Sequence, residues 1–207
     1  MYHTNAKTYN TMKKLTANQL RTFSRNLDYF FNNATDEEIS QGKRWYKTAN
    51  EICEDISNIY RVPTTRVAGV ISALSPRNKW EKNIKDAYAV FAAINEGLQP
   101  EEIKVSTFHT NKFKAFEIAK GNKTITWDSQ KTFSFVRNVG DLDENFVTVD
   151  VWHLRACFKK LIPSQPIGRI AYDQIVKLTS KKALKLGLKP YEYQAIVWVS
   201  CRNNLTR

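Results

Sequence analysis

Asp150 is the residue around which chemistry is most readily built. It closes the run Phe146-Val-Thr-Val149 and precedes Val151-Trp152-His153-Leu154-Arg155-Ala156. A carboxylate thus stands after a short apolar, extended stretch and at the start of a helical pattern. An Asp so placed accepts backbone N–H bonds as an N-cap. Those same N–H groups hold a carboxylate ionised and fixed in direction, able to oppose a developing positive charge or to orient a water molecule. Both uses are open on the residues alone. Metal chemistry is not expected: Cys53, Cys157 and Cys201 are scattered, and His3, His109 and His153 have no ligand-like spacing among themselves or with cysteine. The odd cysteine count also excludes a disulfide framework, and the expectation is three reduced, buried thiols in a cytosolic protein.

Two other stretches carry polar groups in useful places. In Ser72-Ala-Leu-Ser75-Pro76-Arg77-Asn-Lys79-Trp80, with Asn83 beyond it, Arg77 and Lys79 lie on a turn before a helix N-terminus, where a phosphate is readily met. Trp80 either stacks on a base or joins Ile84 and Ala87 in the core, and Asn83 is placed to hold the Ser-Pro turn by hydrogen bonding. In the last helical stretch, Gln194, Trp198 and Arg202 share a face by four-residue spacing. That face either lines a ligand or ties the core.

The charge narrows the partner. Lys and Arg total 32 against 20 Asp and Glu, a net charge of +12 in 207 residues. Residues 155–207 hold eleven Lys/Arg against only Asp173 and Glu192, so +9 of the excess lies in a quarter of the chain. A concentrated basic region points to a polyanion, most often nucleic acid, with solubility as the alternative. With 42% hydrophobic residues and eleven Phe, nine Tyr and five Trp, a full core is available and disorder throughout is excluded. No apolar run has the length a bilayer needs, and residues 1–10 lack a signal-peptide pattern. The expected setting is the cytoplasm of a bacterial or virus-infected cell.

The elements that must position these residues read as helices almost throughout. Residues 1–14 are expected to be poorly ordered, and 15–207 to form a single helical unit. Leu15, Leu20, Phe23, Leu27 and Phe30 open the pattern. Thr35 caps a helix beginning Asp36-Glu37-Glu38, and a longer one runs from about Gly42 to Tyr60. Pro63 is expected in the first turn of a helix that stops at Ser75-Pro76. Asn78 is expected to cap the next, with Glu81 three residues on and Gly97 at its end. A loop over 98–110, a helix over 111–120 and a helix capped by Asp128 or Ser129 follow. The helix after Asp150 is expected to reach Leu161. Separate helices are predicted over 170–178 and 180–186, and Pro190 opens the last. Nine or ten helices and no sheet make an all-α protein.

Val149-Asp150 with Arg155 five residues on resembles the catalytic segment of the helix-hairpin-helix DNA glycosylase superfamily, the endonuclease III-like group, as a divergent phage or bacterial branch. The likeness covers about residues 60–160. It implies a two-lobed helical fold with substrate in the cleft between lobes and Asp150 as the catalytic carboxylate. The family's histidine stands two residues after the aspartate; here Trp152 is there and His153 follows. Lys131-Thr132 with Asn138-Val139 resembles the hairpin's second helix, and a lysine at that place attacks the deoxyribose carbon in lyase-active members. Two departures stand out. The glycine-rich hairpin is replaced by Thr126-Trp-Asp128-Ser-Gln130, where Asp128 would repel a phosphate, and the four cluster cysteines are absent, so no iron–sulfur cluster is implied. The segment around Ser75 resembles the cleft turn of relatives.

What the resemblance implies is an enzyme that cleaves the N-glycosidic bond of a damaged or modified DNA base, through Asp150 and, if lyase-active, Lys131. Substrate or DNA contacts are expected at Ser75, Arg77, Lys79, Trp80, Asn83, Asn138, Trp152, His153, Arg155, Gln194, Trp198 and Arg202. No cofactor or metal is expected, DNA is the partner, and oligomeric state is left open. The alternatives are thymidine hypermodification in phage DNA by an enzyme of the same superfamily, and a non-catalytic DNA-binding protein.

Overall fold

A computed structural model describes residues 11–206. Among these it contains nine α-helices: α1 (Ala17–Asn32), α2 (Asp36–Tyr60), α3 (Thr64–Leu74), α4 (Trp80–Asn95), α5 (His109–Ala119), α6 (Gln130–Asp141), α7 (Val151–Phe158), α8 (Arg169–Lys185) and α9 (Pro190–Thr206). Short 3-10 turns occur at Pro100–Glu102 and Trp127–Ser129. The described residues hold no strand, only one bridge between Met12 and Ile167. The fold is all-α. Of the stretch 1–14 expected to be poorly ordered, the first ten residues lie outside the described residues; beyond them, Gly168 N donates to Met12 O at 2.9 Å.

Side-chain caps account for the starts of α1, α2 and α7. Thr16 and Thr35 form capping boxes with Gln19 and Glu38, and Asp36, Glu37 and Glu38 suit the positive end of α2. Pro63 is the N-cap of α3 rather than part of its first turn, and the expected helix boundaries need further correction. The segments expected around Asp36 and over Gly42–Tyr60 are one helix of 25 residues. Gly42 opens no new element: a Cβ there would meet Ile196 Cα at 2.5 Å, so it is where the α2 and α9 backbones cross. The helices expected over 170–178 and 180–186 are also one, α8, because Thr179 at the supposed break is buried against α7. Finally, α7 stops at Phe158, where Lys159 takes the left-handed conformation, and Leu161 is exposed outside it.

The buried side chains form two apolar clusters. One joins α2 to α6 through Ile56, Val67, Ile71, Leu74, Phe91, Phe116 and Val139. The other joins α1, α7 and α8 through Phe23, Leu27, Phe30, Leu154, Tyr172 and Ile175. Helix α9 serves both, giving Tyr191 and Ala195 to the first and Tyr193, Val197 and Cys201 to the second. Helix α9 is buried along most of its length between the two clusters, with Arg202 and Asn204 exposed in its last turns. Each fully buried Leu, Ile or Phe here contributes about 1.5–3 kcal/mol.

Candidate functional site

The segment 146–149 has no strand to pair with, so side chains hold it. Asn138 in α6 donates its amide to Asp143 O (3.0 Å) and Phe146 O (2.9 Å) and accepts from Thr148 Oγ1 (3.0 Å). From α8, the Tyr172 hydroxyl donates to Val147 O (2.9 Å) and accepts from Val149 N (3.3 Å). Val147 and Val149 are buried in the second cluster. With the segment pinned from two helices, the residue that follows it has a fixed direction.

That residue, Asp150, is the N-cap of α7, accepting from His153 N at 2.8 Å. It is half-buried, and opposing influences meet on its carboxyl. Desolvation raises its pKa above the usual carboxylate range, while the His153 N–H, the nearby charge of Lys131 and the neighbouring Trp198 side chain each favour the ionised form. Lys131, an exposed residue at the start of α6, is thus close enough to act on Asp150 electrostatically. Behind the carboxyl stand Tyr46 and Tyr172. Burial raises both, and the Asp150 charge adds to the effect; the Tyr172 hydroxyl is pushed up to about 12. Both phenols therefore stay protonated and act as hydrogen-bond donors.

An aromatic surface adjoins this group. The Trp45 ring lies 5.3 Å from Trp80, 6.1 Å from Trp198 and 6.2 Å from Phe135, all four half-buried. They come from α2, α4, α6 and α9, and Trp198 is the member that also meets Asp150. Beside Trp45, the Tyr46 hydroxyl donates to Gln194 Oε1 at 2.9 Å. Arg202 lies over the Trp198 ring at 5.3 Å, and Arg155 over Trp152 at 4.2 Å with its Nε donating to Ile162 O. Asp150, Lys131, Trp198, Gln194, Trp80 and Arg202 are thereby brought into one neighbourhood.

The remaining expected site residues fall elsewhere or face inward. His153 is fully buried, its Nε2 3.0 Å from Thr179 Oγ1, and burial lowers its pKa to about 4. Asn138 is fully buried and committed to the 143–148 backbone. Asn83 is buried and donates to Ile71 O at 3.0 Å, tying α4 to the end of α3. Ser75 Oγ donates to Ser72 O. Asn78 is not the α4 cap: its amide donates to Asp86 Oδ2, and Lys79 occupies the cap without a side-chain bond. Arg77, exposed and left-handed at φ 57°, lies over the Phe108 ring. In place of a glycine hairpin, Trp127–Ser129 forms a 3-10 turn with Asp128 3.7 Å from Arg169.

Tyr46, Trp45, Phe135 and Tyr172 escaped the sequence reading as site residues. Each sits on a helix face that reads as core, and only the crossing of four helices brings them to Asp150. Among the described residues, no group of three or more His, Cys, Asp or Glu could hold a metal ion. No helix there is long and apolar enough to cross a membrane.

The fold and site define an all-α protein with a desolvated, helix-capping carboxylate beside a lysine and a tryptophan-rich surface. Over residues 9–205 the chain matches, and so belongs to, a family described as of unknown function (DUF7178). No curated protein and no solved structure matches it.

Proposed function

We propose that the protein is a DNA base-processing enzyme of glycosylase type, with the two apolar clusters as its lobes and the aromatic surface as the site for a turned-out base. The observation that carries this reading is the convergence on Asp150 of a cation, Lys131, and an indole, Trp198, that itself belongs to a half-buried aromatic group. Chemistry on a base requires that base to leave the duplex and find apolar faces to replace its stacking. Trp45, Trp80, Phe135 and Trp198 offer those faces.

As the C1′–N bond breaks, its electron pair leaves with the base and positive charge develops on the sugar. The Asp150 carboxylate, fixed by the His153 N–H, opposes that charge and then takes a proton from the water that adds to C1′. Alternatively the Lys131 amine adds to C1′, which yields a Schiff base and permits strand cleavage. Arg202 and Arg155, already ordered over indole rings, meet the flanking phosphates.

The test is base release from duplexes carrying a broad panel of damaged or modified bases, comparing wild type with Asp150→Asn. The expected loss in the variant is at least about 100-fold, with borohydride trapping of a covalent adduct if Lys131 reacts. If neither protein releases any base in the panel, the proposal fails. The Trp127–Ser129 turn, which carries Asp128 where glycine amides would grip duplex DNA, favours a second reading, hypermodification of thymidine in phage DNA. Incorporation of a labelled amine without base loss would single that out.

A further inference from the structure

Lys177, Lys181 and Lys185 recur every fourth residue of α8, forming a row with about 6 Å of axial rise between neighbours. All three are exposed. With Asn145, Ser180, Val176 and Leu184 they line a shallow groove of about 630 Å³ that has no carboxylate in its walls. Leu184 is 71% exposed there. Thr179, two residues beyond Lys177, points inward to His153 of α7, so the row looks to the opposite side of α8.

Like charges at this spacing repel and work against the helix that carries them. Lys185, in the last turn, is offset by the helix dipole; Lys177 and Lys181 are not. The lysines beside the row are neutralised in a way those on it are not. Lys182 pairs with Asp28 at 2.5 Å and Lys189 with Glu144 at 3.0 Å. Asp173, one turn before Lys177, accepts instead from Gln130 Nε2 at 3.0 Å. On the other flank of α8, a hollow of about 350 Å³ sets Lys181, Lys182 and Lys185 against the single carboxylate of Asp28.

We propose that this row is a docking groove for the sugar–phosphate backbone of DNA, separate from the Asp150 site. The ammonium groups meet successive phosphates, Ser180 and Asn145 supply hydrogen-bond donors, and Val176 and Leu184 pack against sugars. Contacts of this kind position a duplex without reading its sequence. The inference rests on the proposed function only for the identity of the polyanion.

The experiment is salt-dependent binding of the full chain to a short, unmodified, fluorescent duplex, followed by anisotropy from about 50 to 200 mM salt. The variant Lys177→Gln/Lys181→Gln/Lys185→Gln is compared with Lys82→Gln/Lys120→Gln/Lys123→Gln, which removes the same charge elsewhere. The groove variant should bind at least about tenfold more weakly, and its log–log salt slope should fall by about 2.7, or about 0.9 for each of three phosphates. The control should stay within about twofold of wild type. The Lys→Arg triple, which keeps the charge, should restore the slope, and the groove variant should melt no lower than wild type because repulsion has been removed. Equal losses in both triples would overturn the proposal, and so would displacement of the duplex by poly-glutamate as readily as by DNA. Because no turnover is measured, a failure of base release leaves this result legible.

Discussion

The start of α4 and the start of α7 each set a polar residue at a helix opening close to a tryptophan, yet their side chains are used in opposite ways. Around α4 the donors are committed to holding the chain. Asn83 donates to Ile71 O, Asn78 and Ser106 N both donate to Asp86 Oδ2, Ser75 to Ser72 O and Thr107 to Pro76 O. The amide oxygens of Asn78 and Asn83 are left enclosed without a partner, a cost the turn carries for its shape. At α7 the supporting work is done by other residues, Asn138 and Tyr172. Asp150 itself accepts from His153 N and meets Trp198, which leaves lone pairs open on a half-buried carboxylate. Polar residues that spend their valences on backbone make architecture, and a carboxylate positioned by others is free for chemistry.

The largest expected effect separates the two turns directly. Asp150→Asn keeps a good N-cap and removes a half-buried charge, so base release should fall by at least about 100-fold while thermal stability holds or rises. Asn83→Ala should do the reverse. It leaves Ile71 O unpaired and costs about 1–3 kcal/mol in denaturant unfolding, with base release per folded molecule unchanged. If Asn83→Ala abolished turnover at full stability, the contrast would collapse.

A second effect tests the buried setting of α7. The His153 pKa, near 6.5 in the unfolded chain, is lowered to about 4 in the fold. The folded state therefore binds fewer protons, and its stability is complete above pH 6.5 and falls as pH drops toward 4. The loss is on the order of 3 kcal/mol. Urea unfolding across that window should show the slope, and His153→Gln should flatten it. The Asp150 shift runs the other way: a raised carboxyl favours the folded state at low pH and that advantage disappears as pH rises through its folded value.

Lys131 gives a finer test. Lys131→Gln removes a charge that holds Asp150 ionised, so the acid limb of the pH–rate profile should move to higher pH, whereas Lys131→Arg should leave it in place. An unmoved limb in both variants would detach Lys131 from the site. The smallest effect belongs to the cap: Asp150→Ala should be about 1 kcal/mol less stable than Asp150→Asn by thermal melting.

Several of these features were legible before any coordinates. Thr35 before Asp36-Glu37-Glu38 announced the α2 cap, Ser75-Pro76 ended α3, and an Asp before an apolar helical pattern announced the α7 cap, because each depends on neighbours within one turn. Asn78 misled for the same reason. Its spacing to Glu81 satisfied a local rule, but Asp86 and Ser106, brought close by the fold, took its side chain instead. The break expected near Thr179 failed because burial against His153 outweighed weak helix propensity. Gly42 carried no local sign of its use, since the atom that excludes a Cβ belongs to Ile196.

By itself the sequence determined an all-α chain, some of its caps and stops, a concentration of positive charge toward residue 207, and a carboxylate at the start of a helix. These follow from periodicity, backbone sterics and composition, which act over a few residues or over the whole chain. Only the tertiary structure decided what surrounds that carboxylate. Lys131, Tyr46, Tyr172 and Trp198 reach Asp150 from four different helices, and desolvation, the largest influence on its carboxyl, exists only once those helices close around it.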